Sequence, residues 1–222
     1  MTLTEVERKR ALDTGAQAAL LDRLHELAFR ERARHVETDD YYSRPDVDFM
    51  ETVECLRVRS RDGFAEITYK PGSTAANTAA GMISKVETNA RLADAEQTAA
   101  ANQLLTMLGM VHLAQVDKHR VEYAHVEDGD VTIALDTVTN VGVFVEVEVL
   151  TADPAGAAAV LDQVERDLGT TELPVVSLPY RDLVVQASSV VAVPDEQPPG
   201  PERARRRVPD RTSVRRRRRG RS

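Results

Sequence analysis

Two stretches at opposite ends of the chain carry carboxylates at every second position. In Glu5-Val6-Glu7-Arg8-Lys9, an extended backbone puts Glu5, Glu7 and Lys9 on one face. In Val143-Phe144-Val145-Glu146-Val147-Glu148-Val149, the valines take one face and Glu146 and Glu148 the other. Cations alternate in the same way between them: Arg57 and Arg59, Lys70, then Lys118 and Arg120. Guanidinium groups fork onto phosphate oxygens and lysines act as point charges, so these strands suit a polyanion. Paired carboxylates suit a hard divalent cation, Mg²⁺ or Mn²⁺, which takes oxygen ligands and bridges protein to phosphate. The combination points to a metal-dependent site for a triphosphate.

The plain alternative is an antiparallel sheet whose charged face meets water, which is common. Two features count against it. Glutamate is depleted from strands, and here the charges are sorted into acidic and basic strands. Should the sheet close into a barrel, one face becomes its interior, and a bore lined by both signs accommodates a charged ligand.

The elements that must position these residues follow from the pattern. After the first strand, Gly15 to Arg32 reads as a helix with Leu20, Leu21, Leu24, Leu27 and Ala28 as its apolar stripe. A short extended segment spans Glu37 to Tyr42, and alternation resumes from Glu51 to Ser60. Asp62-Gly63 predicts a hairpin into Phe64 to Lys70, and Pro71 to Ser84 reads as a flexible loop able to act as a lid. Lys85-Val86-Glu87 predicts a short strand, and Asp94 to Leu108 a helix ended by Gly109. The second half repeats the logic: a strand from Val111 to Tyr123, a turn at Asp128-Gly129, and strands over Val131 to Asp136 and Val143 to Val149. A third helix is capped by Asp153, opened by Pro154 and stopped by Gly169, with Leu178 to Leu183 as a short terminal element.

Bulk properties narrow the field. The 222 residues suffice for one domain with a tail. Net charge is −7, yet from Pro201 onward eleven arginines face only Glu202 and Asp210, a local +9 that leaves −16 on the first 200 residues. An acidic body repels nucleic acid, so phosphate handling requires its cations to be concentrated in one place. The Pro- and Arg-rich tail, 191–222, has little to bury and is expected to be disordered, touching nucleic acid or acidic surfaces only unselectively. Cys55 is the single cysteine, the five histidines fall into no metal-ligand spacing, and no run is long and apolar enough to span a membrane; a cytoplasmic location is expected.

Glu5-Val6-Glu7-Arg8-Lys9 resembles the ExExK signature of the CYTH superfamily, the triphosphate tunnel metalloenzymes, which include class IV adenylyl cyclases, thiamine triphosphatases and inorganic triphosphatases. Seven further stretches, in order, are most similar to the class IV cyclase-like branch. They are Thr38-Asp39-Asp40-Tyr41-Tyr42, Leu56-Arg57-Val58-Arg59, Ile67-Thr68-Tyr69-Lys70, Val116-Asp117-Lys118-His119-Arg120, Ala134-Leu135-Asp136, Gly142 to Glu148 and Pro179-Tyr180-Arg181-Asp182-Leu183. The resemblance implies an α+β fold over residues 1–190, an eight-stranded antiparallel closed β-barrel forming a triphosphate tunnel, with flanking helices. It implies Glu5, Glu7, Glu146 and Glu148 as ligands of Mg²⁺ or Mn²⁺, with Asp136 and Glu87 as further candidates. Arg57, Arg59, Lys70, Lys118 and Arg120 would grip phosphates, and Lys9 would neutralise charge or position the nucleophile. Departures are Glu37, where similar sequences often carry Gln, an inverted Lys70-Pro71-Gly72 order, and a long loop after it. The implied reaction is cyclization of ATP to cyclic AMP and pyrophosphate. The alternatives are hydrolysis of inorganic or thiamine triphosphate to orthophosphate, and a non-enzymatic triphosphate-binding module. A homodimer follows only by analogy.

Overall fold

Ten strands form one antiparallel sheet in this computed structural model, which describes residues 4–73, 78–79, 82–127 and 130–191. In chain order they are β1 (Thr4–Leu12), β2 (Phe29–Ser43), β3 (Cys55–Arg61), β4 (Phe64–Lys70), β5 (Thr78–Ala79), β6 (Met82–Lys85), β7 (Thr88–Arg91), β8 (Val111–His125), β9 (Val131–Val138) and β10 (Gly142–Thr151). The helices are α1 (Thr14–Glu26), α2 (Gln97–Met107), α3 (Pro154–Leu168) and α4 (Tyr180–Val191). The lateral order is β5-β6-β1-β10-β9-β8-β2-β3-β4-β7.

The antiparallel α+β architecture is the expected one, with a difference in closure. No backbone ladder joins the edge strands β5 and β7 among the described residues. The curl is nevertheless nearly complete. Strand β6 pairs with β1 near one end of the sheet and β7 pairs with β4 at the other, yet only Val86 and Glu87 separate them in the chain. An extended chain advances about 3.3–3.6 Å per residue, so three steps bring the two ends within roughly 11 Å. A side-chain bond also crosses the gap, from Lys70 on β4 to Glu5 on β1 at 2.9 Å. Strands β5 to β7 are only two to four residues long and arise from a stretch rich in Ala, Gly and Asn, weak strand formers, and Glu87 meets Lys70 and Arg57 instead of extending a ladder.

Alternation assigns the two faces. On the outer face, Val6, Val145, Val147 and Val149 pack with Leu20 and Leu24 of α1 and Leu161 and Leu168 of α3. Arg8 and Arg10 also point outward, where both bind the buried Glu165 of α3. Val58 packs under Ala101 and Leu105 of α2. The inner face is closed over in part by α4, whose Tyr180 packs with Tyr41, Val116, Val138 and Phe144.

Several boundaries differ from the sequence expectation. Helix α1 stops at Glu26, not Arg32: Ala28 adopts a left-handed φ of 58°, and Phe29 begins a long strand paired with β8 from Phe29↔His125 onward. Pairing along fifteen residues outweighs a helical stripe that Leu27 and Ala28 only appeared to extend. Alternation begins at Cys55 instead of Glu51, because Val53 turns the chain with φ 55°. Lys85-Val86-Glu87 is the junction of two strands, and the terminal element is a twelve-residue helix. The Asp62-Gly63 hairpin, the Gly109 and Gly169 stops and the opening of α3 at Pro154 are as expected. The Asp128-Gly129 turn, part of the Pro71 to Ser84 loop and the tail beyond Val191 lie outside the described residues. No helix among those described is long and apolar enough to cross a membrane.

Candidate active site

The inner face encloses a cavity of about 270 Å³ lined by charged side chains of both signs. It brings together every site residue expected from sequence except Asp136, which is fully buried just behind the lining, paired to Arg120.

One wall comes from β1 and β10. Their register sets Glu7 opposite Glu148 and Lys9 opposite Glu146, so side chains that share the inner face become direct neighbours. One oxygen each from Glu7, Glu146 and Glu148 lie within 4.8 Å of one another. Burial, together with the neighbouring Glu146 and Glu5, pushes the Glu7 carboxyl up to about 8 against the pull of Lys70. Burial likewise pushes Glu148 up to about 7, with Glu5 and Glu146 opposing the pull of Arg120. Glu5 behaves differently. Burial acts to raise it, but Lys70 beside it prevails and holds it well below the usual carboxylate range. An all-oxygen donor set in which burial and crowding push Glu7 and Glu148 toward neutrality fits a hard divalent cation.

The other wall comes from β2, β3, β4 and β8, and its cations have carboxylates built in. Arg59 forks onto Asp39 with bonds of 2.6 and 2.8 Å. Arg120 forks onto Asp136 of β9 with bonds of 2.8 and 2.7 Å, then reaches Glu148 at 3.0 Å and also Glu146, linking the two walls. Lys118 lies between Glu37 at 3.2 Å and Asp136 at 3.6 Å. Arg57 is held loosely, 3.7 Å from Asp39 and 3.8 Å from Glu87, and Lys70 binds Glu87 at 2.8 Å. Burial acts to raise Asp39, Asp136 and Glu37, but the adjacent arginines prevail and hold all three down, Glu37 to about 2. Burial and the neighbouring Arg120 pull the Lys118 ammonium down, with Asp136 and Glu37 opposing.

At the α4 end, Lys9 Nζ sits 4.1 Å from the centre of the Tyr180 ring and 3.8 Å from Glu146. Lys118 approaches the same ring at 5.3 Å. The ring face thus stabilises two ammonium groups where strand carboxylates alone do not enclose them. Burial, then Glu146 and Asp136, raise the Tyr180 hydroxyl well above its ordinary range, so it stays neutral. Arg181 is buried and donates to the backbone carbonyls of Phe49 and Glu54, tying α4 to the segment between β2 and β3.

A family model described as the CYTH domain matches residues 3–177, nearly the whole of this architecture. The chain belongs to the CYTH domain family. A protein of Methanocaldococcus jannaschii named "Putative adenylate cyclase" is 29% identical over 148 residues, covering 66% of this chain and 77% of that protein. Among solved structures, a Pyrococcus horikoshii protein superposes with a TM-score of 0.69 at 24% identity, covering 82% of this chain and 98% of that one. A Hippeastrum protein described as a "putative adenylyl cyclase" that "reveals a dominant" triphosphatase activity superposes with a TM-score of 0.59 at 18% identity, covering 83% and 96%. These likenesses establish the CYTH fold.

Sequence reasoning did not assign roles to Glu37, Asp39, Arg61, Lys85 or Tyr180, all placed in or against this cavity. A signal existed for three of them. Glu37 and Asp39 alternate like the other charged pairs, and Arg61 continues the series from Arg57 and Arg59.

Proposed function

We propose that the chain is a metal-dependent enzyme that holds the phosphate chain of a triphosphate inside the curl and breaks one of its phosphoanhydride bonds. The observation that carries this reading is the division of one cavity into a wall of converging carboxylates and a wall of arginines and lysines. Mg²⁺ or Mn²⁺ held by Glu7, Glu146 and Glu148, with Glu5 adjacent, would polarise phosphoryl oxygens and neutralise developing charge. Arg57, Arg59, Lys70, Lys118 and Arg120 bind the phosphate oxygens. Of these, Arg59 and Arg120 are oriented in advance by their forks onto Asp39 and Asp136, so little rearrangement accompanies binding. Lys9, steadied by the Tyr180 ring, directs its charge to the phosphorus under attack or orients the nucleophile. Helix α4 excludes water from that end.

Cyclization of ATP is the finer reading placed first, supported by the name of the Methanocaldococcus jannaschii relative. The ribose 3′-oxygen attacks the α-phosphorus, the α–β bond breaks and pyrophosphate leaves. A second reading has an observation of its own: the described lining is dominated by charged groups, with few apolar side chains such as Val53 and Ile83 to receive a base. That favours water attacking the terminal phosphorus of a compact triphosphate and releasing orthophosphate. Incubating the purified protein with ATP, inorganic triphosphate or thiamine triphosphate, each with Mg²⁺ or Mn²⁺, and separating the products decides between them. Cyclic AMP with pyrophosphate identifies the cyclase; orthophosphate identifies the hydrolase. Turnover of none of the three would overturn the enzyme reading in favour of a binding module.

A further inference from the structure

Lys85 is the exception among the cations of the cavity. Lys9, Arg57, Arg59, Arg61, Lys70, Lys118, Arg120 and Arg181 each have a carboxylate within ion-pair distance. Lys85 lines the same cavity and is only 7% exposed, yet among the described residues it pairs with no carboxylate. Its Nζ donates instead to the backbone carbonyl of Val53. Val53 holds a φ of 55°, strained for a β-branched residue, in the backbone conformation that presents that carbonyl to the ammonium. The same segment turns the carbonyls of Phe49 and Glu54 to Arg181. A carbonyl dipole solvates a buried ammonium without neutralising it, and such a charge is expensive to keep.

We propose that Lys85 is a further phosphate-binding group of this cavity, held on the Val53 carbonyl until the substrate anion takes its ammonium. The proposal rests on the triphosphate reading above. Strand β6 sets Lys85 directly opposite Glu5 of β1, at the junction where the curl nearly closes, on the side of Lys70 and Glu87. A phosphate there would receive one cation from beside each edge of the sheet, Lys70 from β4 and Lys85 from β6. Bound substrate would thereby bridge the gap that no ladder spans among the described residues.

The test is calorimetric binding of inorganic triphosphate to the metal-free full chain, beside thermal unfolding without ligand. Wild type should bind, Lys85→Met should bind about tenfold or more weakly, and Lys85→Arg should remain close to wild type. Because the unpaired charge is a burden in the free protein, Lys85→Met should also raise the thermal midpoint. Should Lys85→Met fail to fold, Lys85→Gln, which keeps a donor for Val53, takes its place and should lose the same affinity. Equal binding by wild type and the neutral variants would overturn the role of Lys85 while leaving the triphosphate reading intact. Absence of binding by wild type both without metal and after addition of Mg²⁺ would overturn that reading, and this inference with it.

Discussion

The two walls of the cavity solve the problem of buried charge in opposite ways. On the basic wall each arginine or lysine is matched by a carboxylate of the chain: Asp39 for Arg59, Asp136 for Arg120, Glu37 for Arg61 and Lys118. Those carboxylates are held low and remain charged. On the acidic wall Glu7 and Glu148 sit beside other carboxylates, and burial with mutual repulsion moves them up to about 8 and 7. One wall is complete without a ligand; the other gains most from a cation. Charge count alone would not separate them, whereas the low titration of Asp39, Asp136 and Glu37 against the raised Glu7 and Glu148 does, with Glu5 held low only because Lys70 of the basic wall reaches it.

This contrast predicts opposite outcomes for removing a carboxylate from each wall. Asp136→Ala strips Arg120 of its fork and Lys118 of a partner inside a buried network, and should lower the unfolding free energy by about 3–5 kcal/mol in urea denaturation. A loss below ~1 kcal/mol would mean that the pairing does not hold that wall together. Glu148→Gln should leave the metal-free protein as stable as wild type or more so, since it relieves crowding. Its effect belongs to function: Mg²⁺- or Mn²⁺-dependent turnover should fall on the order of 10²-fold or more. Full activity in Glu148→Gln would remove this residue from the metal site and erase the distinction between the walls.

The acidic wall was legible in the sequence because a period of two is all that Glu5, Glu7, Glu146 and Glu148 require to share a face. The basic alternation at Arg57, Arg59, Lys118 and Arg120 was legible for the same reason. Asp136 was named only as a further candidate beside the metal-binding carboxylates, and the structure sets it opposite Arg120 across β8 and β9. Cross-strand register decides which wall a carboxylate joins, and register depends on pairing that local pattern does not state. The end of α1 was hidden for a related reason: Leu27 and Ala28 extend a helical stripe locally, but pairing of Phe29 with His125 is a contact 96 positions away. Lys85 passed unnoticed because its distinguishing feature, a backbone carbonyl in place of a carboxylate among the described residues, is visible only once those neighbours are placed.

A smaller effect sharpens the comparison through pH. In the folded, metal-free protein Glu7 and Glu148 hold protons up to about 8 and 7, whereas in the unfolded chain they return to the ordinary value of 4.5. Between those limits the folded state binds more protons than the unfolded state, so stability decreases as pH rises. The favourable contribution of these two groups is fully present below pH 4.5 and is lost as pH passes through about 7 and then 8. Asp39 and Asp136, held low, act in the reverse sense, but only in acid, below their ordinary value of 3.8. Thermal midpoints of the metal-free protein should therefore drift downward from pH 6 to pH 9. Saturating Mg²⁺ should flatten that drift, because a bound cation replaces the protons that these carboxylates otherwise retain. A midpoint that rises over this range, or falls equally with and without Mg²⁺, would show that the acidic wall is not the group of sites linking protons to metal.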